Sequence, residues 1–77
     1  MNNQRRKELT KIVEEISSAA DSLEILMCEE EETYDAMPDS LKDSEKCENM
    51  SENVSDLSEA IDDLNSALET IQQVIER

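Results

Sequence analysis

From Leu9 onward, apolar side chains recur at alternating steps of three and four: Leu9, Ile12, Ile16, Ala19, Leu23 and Leu26. With Leu9 at heptad position a, Ile12, Ala19 and Leu26 take d, and a flanking e row holds Val13, Ala20, Met27 and Tyr34. Three apolar rows per heptad make a stripe broader than a simple two-stranded seam. The period predicts an α-helix over roughly residues 3–35. A second segment repeats the pattern with a different flank. Val54, Ile61, Leu68 and Ile75 take a, Met50, Leu57, Leu64 and Ile71 take d, and Ala60, Ala67 and Val74 fill the g row. Extended backwards, the a row reaches Cys47, which reads as a small buried apolar residue. This second helix is expected over roughly residues 44–76.

Between them, residues 36–43 read as a loop. Pro38 disfavours α geometry at Met37 and cannot donate to a continuing helix. Ser44 is a good N-cap for the second helix, with Asp39 or Ser40 as earlier alternatives. Two helices of about 48 Å each, joined by a short loop, predict an all-α, antiparallel helical hairpin as one domain over 1–77. Charge agrees with that direction. It brings Arg5, Arg6, Lys7 and Lys11 beside Glu69 and Glu76, and Lys42 and Lys46 beside Glu29–Glu32 and Asp35, where they would neutralise the acidic run.

A two-helix seam consumes about one narrow stripe from each helix, so the sequence leaves apolar rows over. Val13, Met27 and Val74 are expected to lie in water in a lone hairpin, and an exposed stripe that long marks an association surface. The expected closure is a two-fold dimer forming a four-helix bundle. Its core would draw on Leu9, Ile12, Val13, Ile16, Leu23, Leu26 and Met27 of the first helix. The second helix would supply Val54, Leu57, Ile61, Leu64, Leu68, Ile71, Val74 and Ile75.

Composition narrows the chemistry. Among 77 residues there is no glycine, no histidine, no tryptophan or phenylalanine, and one tyrosine. Hairpin-rich β folds and phosphate-cradling loops lose their usual glycine, and base stacking and histidine catalysis have almost nothing to use. Net charge is −14, from 21 acidic and 7 basic residues, which opposes direct binding to nucleic acid or anionic membranes. No run approaches the ~18 apolar residues of a membrane span. No apolar stretch follows the basic start Arg5-Arg6-Lys7, so a secretion signal is not expected. A cytoplasmic protein with two free thiols follows: Cys47 in the seam and Cys28 on the outer face of the first helix, at f.

The run Glu29-Glu30-Glu31-Glu32, followed by Asp35, is the main local oddity. Acidic residues at a helix C-terminus oppose the macrodipole, and Glu30 interrupts the a row. The run reads as a docking patch for Lys and Arg of a partner. Calcium is not expected, because EF-hand spacing and its glycine are missing. Paired carboxylates such as Glu14-Glu15 and Asp62-Asp63 lack the inward Glu-x-x-His pattern of metal bundles and the burial that tunes catalytic acids. No enzyme activity and no cofactor are predicted. Two copies would carry twice the charge of one over about 48 Å, close to the one charge per ~1.7 Å of B-DNA. Carboxylates so spaced can block a nucleic-acid-binding groove.

Several segments carry a resemblance. They are Arg5-Arg6-Lys7-Glu8-Leu9, Glu30-Glu31-Glu32 leading to Tyr34-Asp35, and the loop Met37-Pro38-Asp39-Ser40-Leu41 with Ser44-Glu45. The repeat Ile61-Asp62-Asp63-Leu64 to Ala67-Leu68-Glu69 completes the set. Over nearly the whole chain, these residues resemble small acidic helical-hairpin proteins of phages and prophages of Gram-positive gut bacteria, most of them of unassigned role. The resemblance implies a helical fold and a phage setting, in the cytoplasm of a bacterial host. By analogy, phage proteins of this size and acidity are often inhibitors of host machinery or defence.

The leading expectation is therefore a hairpin that dimerises and docks through acidic faces on a basic or nucleic-acid-binding host protein. One rival is a sponge for a small signalling nucleotide, with Arg5, Arg6, Lys7 and Lys11 as phosphate contacts and Tyr34 of a neighbouring subunit as a stacking platform. Another is a structural or assembly role in a virion.

Overall fold

A computed structural model describes all residues, 1–77. Helix α1 spans Asn3–Asp35, a 3-10 turn covers Asp39–Leu41, and helix α2 spans Glu45–Glu76. The helices pack against each other along their length, and there is no strand. Two side-chain links set their direction. Arg6 of α1 donates to the Arg77 carbonyl (3.1 Å), and Asn53 of α2 donates to Glu30 (3.3 Å). While α1 advances from residue 6 to 30, its neighbour retreats from 77 to 53, the same number of residues. The hairpin is antiparallel and stays in register throughout.

Each end of each helix has a local cause. Asn2 caps α1, its side chain accepting from the Arg5 N–H at 2.8 Å. Helix α1 stops without a left-handed residue, and no residue of the chain has positive φ. Instead Ala36 stays right-handed, its N–H donating to the Glu32 carbonyl at 3.0 Å, and Pro38 turns the chain to extended geometry. A proline three residues past the last turn stops a helix that has no glycine to stop it. The turn Asp39–Leu41 then swings the chain back, with the Leu41 N–H donating to the Pro38 carbonyl at 2.9 Å. Ser44 caps α2, its hydroxyl accepting from the Cys47 N–H at 3.3 Å. Glu45 and Glu48 follow in the first turn, where carboxylates complement the helix dipole.

On α2 the seam uses the anticipated rows. Cys47, Met50 and Ile61 are buried, and Val54, Leu57, Leu64, Leu68, Ile71 and Ile75 are half-buried. On α1 the seam is rotated. The covered positions are Arg6, Leu9, Val13, Ile16, Ala20, Leu23, Met27, Glu30 and Tyr34, at steps alternating between three and four. These are the a and e rows, so the d row is the one left over. Val13, Met27 and Val74 do not lie in water as expected, because they line or flank the seam. Ile12 (42% exposed) and Leu26 (56%) lie outside it instead. Ala19 and Ala20 offer the d and e rows the same small volume at mid-seam, so the physical reason lies at the ends. With the e row inward, Arg6 reaches the Arg77 carbonyl and Tyr34 lies beneath Lys42, and Ala20 is the one buried residue of α1.

Only four residues are buried: Ala20, Cys47, Met50 and Ile61. The Cα envelope measures 59 × 15 × 13 Å with a radius of gyration of 17.5 Å, against about 11.5 Å for a compact domain of this length. It is a rod with a thin seam. Two consequences can be measured. Ile61→Ala should lower the unfolding free energy by about 2–4 kcal/mol in urea melts. Ile12→Ala, followed at dilutions where single hairpins prevail, should change it by less than about 1 kcal/mol; an equal loss at both positions would contradict the rotated seam.

Candidate interaction surfaces

The acidic run does not form one patch. Consecutive residues of a helix point about 100° apart, so Glu29, Glu30, Glu31 and Glu32 wind around the end of α1. Glu30 is half-buried at the seam, held by Asn53. Glu29 lines a groove with Leu26, Glu30, Thr33 and Leu57 on one face of the hairpin. Glu31 lies on the opposite face with Tyr34, Asp35, Ser51, Val54, Ser55 and Ser58. Glu32 faces outward, sharing a shallow surface with Asp21, Glu24, Ile25, Cys28 and Glu29. Of the anticipated docking residues, the structure joins Glu29 with Glu32 and Glu31 with Asp35.

The anticipated neutralisation across helices is absent as ion pairs. A single ion pair is present, Lys42 with Asp39 at 3.7 Å, three residues apart in the loop. The Lys42 ammonium also lies 5.3 Å from the centre of the Tyr34 ring, a cation–π distance. Lys46 borders a groove with Glu30, Glu45, Asn49, Met50 and Asn53 but makes no ion pair. At the other end, Arg5, Lys7 and Lys11 are exposed, and none of them pairs with Glu69 or Glu76. Long exposed side chains lose as much in entropy as the contact returns in high dielectric. Almost all of the negative charge is therefore uncompensated within the hairpin.

Arg6 is the exception among the basic residues. It occupies the seam position one heptad before Val13, and its guanidinium donates to the Arg77 carbonyl at 3.1 Å. The last turn of α2 has no basic residue of its own, so Arg6 brings a cation from the other helix to the negative end of the α2 dipole. The last turn of α1 also lacks one, and the loop's Lys42 lies over the ring of Tyr34 in that turn. Of the four residues considered for phosphate binding, Arg6 is turned to this structural task. Lys7 shares a shallow surface with Asn3, Arg6 and Thr10, whereas Arg5 and Lys11 stand apart from it.

The two broad faces of the hairpin differ. The face bearing Glu31 and Asp35 is lined by Ser51, Ser55 and Ser58. The other, with Leu26 and Leu57, carries the exposed α1 row Ile12, Ala19 and Leu26 beside the g row of α2, where Ala60 and Val74 are half-exposed and Ala67 is exposed. One face is polar, the other aliphatic. Ile25, 61% exposed, sits apart from both on the acidic outer side of α1.

No three His, Cys, Asp or Glu side chains converge to hold a metal ion, and no helix is long and apolar enough to cross a membrane. Both cysteines are free, Cys28 exposed and Cys47 fully buried. No family model, no curated protein and no solved structure matches the chain.

Sequence reasoning missed Asn53 as the partner of Glu30 and Arg6 as a cap on α2. The signal for Arg6 was available: counting the Val13 row back one heptad lands on it. Thiol accessibility checks the placement. A maleimide reagent should modify Cys28 within minutes in the folded chain and Cys47 only after denaturation. Equal reactivity at the two sites would mean that Cys47 is not in the seam.

Proposed function

We propose that this chain is a non-enzymatic protein-binding module: a helical hairpin that pairs with a second hairpin into a four-helix bundle and docks through its acidic outer faces on a basic protein. In the phage setting implied by the resemblance, that partner is a nucleic-acid-binding protein of the bacterial host, and the outcome is inhibition of a host defence. The observation that carries the reading is electrostatic. A chain with 21 acidic residues holds a single ion pair, and that pair lies in the loop. Carboxylates left unpaired along a rod set up a strong negative field that steers and holds cationic partners. The aliphatic face supports the bundle, because it lies apart from Glu31, Glu32 and Asp35 and leaves them free.

The test is capture from a bacterial lysate. The wild-type chain is expected to retain a basic, nucleic-acid-binding protein at low salt and release it above about 0.5 M salt, where screening leaves little exposed electrostatics. The outer-face variant Glu24→Lys/Glu32→Lys should retain markedly less. Undiminished capture by that variant would move the contact elsewhere. Thermal stabilisation by a cyclic nucleotide in place of protein capture would favour nucleotide sequestration, and co-purification with particles would favour assembly.

A further inference from the structure

We infer that the occupant of the aliphatic face is a second copy of this chain, with the two α1 helices antiparallel and crossing at Ala19, and with Arg5 of each copy seated in the groove formed by Leu26, Glu29, Glu30, Thr33 and Leu57 of the other. This rests on the dimeric reading above and adds the axis, the pairing and the contacts.

Three observations converge. The first is spacing. The row Arg5, Ile12, Ala19, Leu26, Thr33 is symmetric about Ala19. Inverting α1 over itself places Ile12 on Leu26 and Arg5 beside Thr33, as a two-fold contact demands. The register of the hairpin puts Ala19 across from the stretch between Ala60 and Ala67, since Arg6 meets Arg77 and Glu30 meets Asn53. The axis thus passes through Ala19 on α1 and between Ala60 and Ala67 on α2, and alanines at or beside it let the helices approach closely.

The second is charge. The row of α1 that faces out reads Arg5, Ile12, Ala19, Leu26, Thr33, flanked by Glu8, Glu15, Ser22 and Glu29, with Lys11 and Glu32 further round. Its start is therefore mixed and its end acidic, and the opposite-charge contact open to an antiparallel pair is that of Arg5 with Glu29. The groove at the acidic end suits an arginine. Leu26 and Leu57 offer apolar surface to its methylene stem, and Glu29 and Glu30 offer carboxylates to its guanidinium. Arg5 is exposed and forms no ion pair within its own chain.

The third is area. The chain exposes 5744 Å², about 900 Å² more than the ~4,800 Å² of a compact monomer of this mass. That excess is close to the ~800 Å² per partner buried in an ordinary stable interface.

Cross-linking tests the arrangement on the whole chain. Ala19→Cys in a Cys28→Ser background should give a dimer by sedimentation at micromolar concentration and, on oxidation, a disulfide-linked dimer in high yield, since residues on the axis meet within disulfide reach. Oxidised wild type should not cross-link, because the two Cys28 sites lie about 27 Å apart along the antiparallel pair. Arg5→Glu should weaken the dimer about tenfold, since both symmetric contacts turn repulsive. Adding Glu29→Lys to it should restore the wild-type constant to within about threefold, since each contact then regains opposite charges. A dimer that Ala19→Cys fails to link would place α1 over α2 of the other copy and overturn this inference while the bundle stands. A monomer at every concentration would remove both. A double variant weaker than Arg5→Glu alone would empty the groove of Arg5.

Discussion

The strip of contact between α1 and α2 is the constraint from which the rest follows. Two straight helices share one seam, and a seam takes two rows of side chains per heptad from each. Helix α1 carries three apolar rows, so one must be left outside. Ala19 and Ala20 give the d and e rows equal room at mid-helix, so the choice follows the ends. With the a and e rows inward, Arg6 reaches the α2 terminus and Tyr34 lies beneath Lys42, and the row of Ile12 and Leu26 faces out. A rotation of a fraction of a turn decides which face of the molecule is oily. It also sets the polarity of the opposite face, where Ser51, Ser55 and Ser58 border Glu31 and Asp35.

The charged residues divide by whether the seam gives them a task. Arg6, Glu30 and Tyr34 fall on seam positions and are half-buried. Arg6 reaches the carbonyl end of α2, Glu30 accepts from Asn53, and Tyr34 lies beneath Lys42. Each interaction lies at an end of the rod, while the middle is held by Ala20 and Ile61. Polar contacts at the ends and apolar ones between fix register without an ion pair across the helices. A one-residue slip would pull Glu30 from Asn53 and Arg6 from the α2 terminus together. Specificity of pairing is the best-attested use of polar groups in such seams.

Legibility in the sequence followed the same division. The helices, their mutual packing and the α2 seam could be read because period and capping agreed: Ser44, the a row from Cys47 to Ile75 and the d row from Met50 to Ile71 all point one way. The α1 seam could not be read the same way, because three rows of comparable hydrophobicity offer two valid choices of two. Hydropathy does not rank Val13 and Met27 against Ile12 and Leu26, and volume does not rank Ala20 against Ala19; the polar contacts of Arg6 and Tyr34 at the two ends separate the rows. The cross-helix ion pairs failed for a different reason. Proximity in register is not contact, and exposed lysines and arginines remain solvated when nothing desolvates them. The acidic run failed through geometry. Four neighbours in sequence are four directions on a helix, so Glu29 to Glu32 mark one end of α1 without forming one surface.

Separation of the faces is what makes association and docking compatible on the proposed reading. A binding module this small must divide its carboxylates between self-association and a partner. Here Glu29 and Glu30 line the groove given to the second copy, and Asp21, Glu24 and Glu32 are left to the outer surface. The d row of α1 and the g row of α2 carry aliphatic residues and alanines, with charge confined to the ends of the rod. Outward from them, Asp21, Glu24 and Glu32 surround Ile25 and Cys28, and these point away from the aliphatic face. Ile25, 61% exposed, lies outside the α1–α2 seam, and the proposed bundle closes through a different row. An apolar residue ringed by carboxylates is the arrangement of an interface centre with a charged rim. Pairing the hairpins in the proposed way doubles that motif and sets the two Ile25 sites about 18 Å apart along the rod. A partner with two basic sites then gains from the second contact without any new chemistry, which makes the bundle the source of avidity as well as of stability.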